Sequence, residues 1–135
     1  MLGQIESQGD GQSAVVADME AGLGTLTRMA EGSLDRVLLV ANPSVKSIEV
    51  ARRARQIIVD RNIGASMVVV ANRLRDEADL AQITGALDGI EHIAIPEDPA
   101  IATADIRARS PVDEAPGSRA VQVIDGLARS WTRST

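Results

Sequence analysis

The chain has 135 residues, a formal net charge of −5, a hydrophobic fraction of 44%, an aromatic fraction of 1% and no cysteine. The acidic balance argues against a general nucleic-acid binder, and the lack of cysteine excludes disulfides and thiolate metal sites. The longest apolar runs, Val37–Ala41 and Met67–Ala71, fall far short of the roughly twenty residues that span a bilayer, so no membrane association is expected.

Residues 1–13 hold several glycines and little apolar material, and read as a flexible lead-in to a single domain over 14–135. Met1-Leu2-Gly3-Gln4 has neither the basic start nor the apolar run of a secretory signal, so a cytoplasmic location is expected. Ala14–Ala17, closed by Asp18, is a short apolar run that predicts a buried strand. Gly22 and Gly24 open a segment, Leu23–Ala30, with the look of a short helix that Gly32-Ser33 ends.

Val37–Ala41 is apolar at every position, as befits a parallel strand covered on both faces. Asn42-Pro43-Ser44 closes it, with Ser44 placed to cap the next helix. Val45, Ile48, Ala51, Ala54 and Ile58 then recur at helical spacing as one apolar stripe, and Asn62-Ile63-Gly64 supplies the stop. Met67–Ala71 is the third strand. Asp76 starts a helix with the stripe Leu80, Ile83 and Leu87 and with Gly89 as terminator.

Ile90–Ile95 is a fourth strand, Pro99–Ile106 a short helix, and Ser110–Pro116 a loop. Val121, Ile124, Leu127, Ala128 and Trp131 make a final amphipathic helix, whose tryptophan, the only aromatic residue, is expected to anchor its end over a core edge. Strands and helices alternate. The fold expected is α/β, a three-layer parallel sheet of about four strands flanked by helices with right-handed crossovers.

With the elements placed, the chain resembles the MinD/ParA superfamily of deviant P-loop ATPases. It looks closest to the accessory ATPases that insert nickel into carbon monoxide dehydrogenase. The residues that carry the resemblance are Asp18-Met19-Glu20-Ala21-Gly22, Arg28, Asn42-Pro43-Ser44, Asn72-Arg73, Ile95-Pro96-Glu97-Asp98 and Ala104-Asp105. They match only the C-terminal half of a family member, a partial P-loop NTPase fold.

The resemblance implies roles for these residues. Asp18 would hold magnesium through a water when nucleotide is bound, and Glu20-Ala21-Gly22 would read the γ-phosphate. Asn72, beside Arg73, would contact the adenine edge, and Pro96, Glu97 and Asp98 would close over the base. The implied cofactor is ATP or ADP with magnesium, held where ligands of open α/β sheets collect, at the carboxyl ends of the strands.

Two departures limit what the resemblance implies. No G-x-x-x-x-G-K-[ST] phosphate loop occurs anywhere in the chain, and that loop's backbone N–H groups and lysine are what cradle a triphosphate. The Cys-x-Cys pair of the nickel-handling relatives is also missing, so no nickel or zinc site is expected.

The expectation is therefore an ATPase-like domain with weak or no ATP binding and no hydrolysis by itself. Two alternatives stand beside it. One is a non-catalytic interaction or dimerisation module, partnered by a second copy or by a chain supplying a missing strand. The other is a truncated piece of a complete ATP-dependent metallocentre-maturation protein.

Several side chains have blander readings. Glu97 and Asp98 precede the Pro99 helix start, where carboxylates favour the helix dipole whatever the function. Asn72 can satisfy turn backbone. Arg52, Arg53 and Arg55 form a basic turn that reads as one solvated face. His92 has no second ligand at metal spacing, and Gly22-Leu23-Gly24 lacks the third glycine of a dinucleotide fingerprint because position 27 is Thr27.

Overall fold

A computed structural model describes residues 14–19 and 23–132. Three strands form one parallel sheet in the order β1-β2-β3: β1 is Leu34–Ala41, β2 Gly64–Leu74 and β3 Glu91–Pro96. The helices are α1 (Leu23–Thr27), α2 (Val45–Asp60), α3 (Glu77–Ala86), α4 (Pro99–Ile106), α5 (Pro111–Glu114) and α6 (Arg119–Thr132). The register runs Leu34↔Gly64 to Ala41↔Ala71 across the first pair and Val68↔Glu91 to Ala71↔Ala94 across the second.

Alternation along the strands divides the apolar residues between two faces. Leu39, Ala41, Val69 and Ala71 point to one face, where they meet Ile48, Ala51, Ala54 and Ile58 of α2, Leu26 of α1, and Ile83 of α3 with Leu87 behind it. Val70 and Ile95 point to the other, where they pack on Ala120 and Val123 of α6 and Ile101 of α4. Helices therefore lie on both faces of a parallel sheet, which gives the three layers. Leu38 and Val40 nevertheless stay exposed on the α6 face, so β1 is not covered on both faces as expected.

The helix starts form as their sequences dictate. Ser44 caps α2 by accepting the Ser47 N–H, and Asp76 caps α3 by accepting the Asp79 N–H. Gly89 adopts a φ of +78° just after α3, where a side chain would be strained. Trp131 ends α6 half-buried, its ring 5.0 Å from the Arg36 guanidinium on β1. This cation–π stack pins the last helix across the sheet.

Several expectations are corrected. The strand at Ala14–Ala17 does not form: residues 14–19 have no regular structure, and Val15 and Val16 are 76% and 87% exposed. A four-residue run gains few ladder bonds against the entropy of ordering it. The described sheet thus has three strands where about four were expected. Val45 faces solvent and leaves the α2 stripe to Ile48, Ala51, Ala54 and Ile58. Gly64 opens β2 and does not end α2; Asn62, with φ +49°, makes that turn. The Ser110–Pro116 loop contains the single turn of α5, and α1 stops at Thr27, before Ala30.

Among the described residues, no helix is long and apolar enough to cross a membrane.

Candidate functional site

The carboxyl ends of β2 and β3 meet at one corner. Pairing between them is regular to Ala71↔Ala94, shifts at Asn72 and Arg73, and resumes at Leu74↔Pro96, where the Glu97 N–H donates to the Leu74 carbonyl at 2.8 Å. Arg73 takes the left-handed conformation, φ +59°, which costs a residue with a Cβ roughly 1–2 kcal/mol. This irregularity turns the strand end, and Arg73 then reaches Glu97 across the corner with a 3.7 Å ion pair. Asn72 is half-buried beside it. Asn72, Arg73, Pro96, Glu97 and Asp98 are thus brought together.

Asp98 caps α4 with one carboxylate oxygen on the Ala100 N–H at 3.0 Å. Its other oxygen accepts the Ala120 N–H of α6 at 3.2 Å. The amide of Ala100, that of Ala120, the Ser118 hydroxyl and the Arg119 charge together hold its carboxyl below the usual aspartate range, against the opposing effect of burial. An open cavity of about 590 Å³ adjoins this carboxylate, lined by Pro96, Glu97, Pro99, Ala115, Ser118 and Arg119 among others.

A second acidic group lies at the same end of the sheet. Asp79 is 5% exposed. It accepts Arg75 Nε and Nη2 in a fork, each at 2.9 Å, and the Arg75 backbone N–H at 2.9 Å. These bonds lower the Asp79 pKa, and the same carboxylate raises that of Arg75. Neither residue stood out in the sequence. The signal was there, an Arg and an Asp four apart at a helix start, but such pairs are common and usually exposed.

Asn42 follows β1 directly after Ala41↔Ala71, the last pair of the β1–β2 register. Its backbone N–H donates to Ser47 Oγ at 2.9 Å, while its side-chain Oδ1 is buried without a hydrogen-bond partner. No sequence pattern marks that atom.

The remaining predicted residues do not join the corner in this way. Asp18 is exposed and ends no strand. Gly22 lies outside the described residues, as do Glu20 and Ala21. His92 is exposed on β3. The described residues hold no group of three or more His, Asp or Glu placed around a common metal position.

Chemically, the corner offers an amide, two carboxylates and two arginines beside an open cavity. Its fit to a nucleotide is uneven. The Asn72 amide could meet a base edge. A triphosphate finds no glycine-rich cradle, and the amide donors that start α4 and α6 already face the chain's own Asp98 carboxylate. An incoming phosphate there meets negative charge.

A different feature stands at the far side of the sheet. Among the described residues β1 bonds only to β2, leaving its outer edge unpaired. Leu38 and Val40, on the face that α6 crosses, are 39% and 56% exposed. Comparison of the sequence with protein-family models and with curated proteins finds no match.

Proposed function

We propose that this chain is a non-catalytic interaction module, whose open β1 edge accepts a strand from another polypeptide. The observation that carries this reading is that, among the described residues, the outer edge of β1 has no partner and is flanked by exposed Leu38 and Val40. An edge strand presents a row of free N–H and C=O groups, and added strands bind to such rows by main-chain hydrogen bonds. From Val37 to Ala41 the strand carries no charge and no proline, the usual devices that keep such an edge solitary. Hydrogen exchange on the dilute full chain tests the reading. The alternate β1 amides directed away from β2 should exchange rapidly when dilute. Protection of those amides in the monomer would mean that the chain covers its own edge, and the reading would fail.

A second reading, an ATPase-like remnant, is favoured by the grouping of Asn72, Arg73, Pro96, Glu97 and Asp98, of which the last three line an open cavity. The base-edge half of a nucleotide site is the part these residues suit. ATP or ADP with magnesium should therefore bind no tighter than about millimolar, some 4 kcal/mol of binding free energy, with no turnover. Titration calorimetry giving submicromolar affinity, or released phosphate, would refute it. Any magnesium would enter with the nucleotide through Asp18. That role, like the link to metallocentre maturation, rests on the sequence resemblance alone.

A further inference from the structure

We infer that the strand received by β1 is β1 of a second copy, paired antiparallel about Leu38 to give a two-fold dimer with a continuous six-stranded sheet. This inference rests on the open-edge reading above and names its occupant.

One observation, together with three conditions of two-fold pairing, points to a second copy. First, the sheet faces must match across the junction. Residues opposite each other in an antiparallel pair share a face, so the two-fold axis must pass beside a residue and not between two. Second, charge and the length of the paired stretch select among the allowed centres. Centring on Asp35 or Arg36 sets like charges opposite each other, which is destabilising. Centring on Leu38 pairs Leu34–Asn42 along its whole length and puts Asp35 opposite Ala41 and Arg36 opposite Val40.

Third, the exposed half of β1 complements its covered half. Arg36 carries the Trp131 ring at 5.0 Å, whereas Val40 is open. Two-fold pairing places each copy's Arg36–Trp131 stack beside the other copy's Val40, and Leu38 beside Leu38. The patch left bare in one copy is covered by what the other already holds in place. Fourth, the interface is isologous, so a single self-complementary strand suffices.

Sedimentation equilibrium of the full chain, from micromolar to several hundred micromolar, reads the association. The expected result is a reversible monomer–dimer equilibrium. Val40→Arg sets a cation opposite the second copy's Arg36 and should weaken association about tenfold or more. Val40→Glu sets an anion there and should leave the dissociation constant within about threefold of the parent. Val40 is exposed in the monomer, so melting of dilute samples should be alike for all three proteins and separates misfolding from lost pairing. Trp131, the only aromatic residue, should shift its emission to the blue as dimer forms.

A parent chain that stays monomeric throughout overturns the dimer. Rapid exchange at the outer β1 amides of that monomer would leave the open-edge reading standing with a different partner. Protection there would end both. A parent dimer in which Val40→Arg and Val40→Glu behave alike overturns pairing about Leu38.

Discussion

Asp98 and Asp79 both contribute to the pH dependence expected of this protein. Both are held below the ordinary aspartate range by hydrogen bonds that exist only in the folded chain. Above the unfolded value of about 3.9 both are ionised in either state, and their stabilisation is complete. As pH falls below about 4, the unfolded chain takes up protons more readily than the native one, and stability is lost through the folded pKa values. Asp98→Asn should lower Tm at neutral pH by on the order of a few degrees, as the loss of a helix cap does, and should flatten the acid limb. Thermal melts from pH 7 to pH 3 check this, and a variant whose melts fall as steeply as the parent's would count against it.

Arg73 sets two local effects against each other. Its left-handed φ of +59° is unfavourable, while its 3.7 Å pair with Glu97 is exposed and worth no more than about 1 kcal/mol. Glycine removes a strain of roughly 1–2 kcal/mol and adds unfolded-state entropy of roughly 0.5–1 kcal/mol. Arg73→Gly should therefore leave stability within about 1 kcal/mol of the parent. A clear loss in urea denaturation would show that the Glu97 pair matters more than the backbone.

At the level of elements, much was legible in the sequence. The Ser44 and Asp76 caps, the α2 stripe from Ile48 to Ile58 and the Pro99–Ile106 helix all rest on local chemistry, and the fold keeps them. What local chemistry does not encode is pairing. Val15 and Val16 are as strand-like as Val68 and Val69, yet only the latter find a ladder. Strand ends were misjudged for the same reason, since β2 runs from Gly64 to Leu74 around a core of five apolar residues. At the candidate corner, proximity to a helix start was readable for Asp98. Its bond to α6, 22 residues further on, was not.

Gly64 makes the point testable. A Cβ there would lie 2.7 Å from Val37 Cγ2 on the neighbouring strand, and a β-branched side chain has little freedom to move aside. Gly64→Ala should cost about 1–3 kcal/mol by overpacking, despite alanine's lower conformational entropy. Chemical denaturation measures it, and a neutral result would mean that β1 and β2 can separate slightly at their start.

For the molecule as a whole, charge and shape pull in opposite directions. Each copy carries −5, so two copies repel at long range, and that repulsion is screened beyond about 10 Å at 0.1 M salt. Raising sodium chloride from low to near-physiological concentration should tighten self-association severalfold. An association that weakens with salt would mean that attraction between opposite charges, and not the apolar strand, holds the copies together.

The other margin of the sheet is built differently. β3 also lacks an outer neighbour among the described residues, but it is only six residues long, begins Glu91-His92 and ends in Pro96, which has no N–H to donate. A two-fold joint through β1 turns both of these guarded margins outward. Growth then halts at two copies and cannot propagate into a fibre. An exposed apolar ribbon, ordinarily a hazard in a crowded solution, becomes a particle of fixed size.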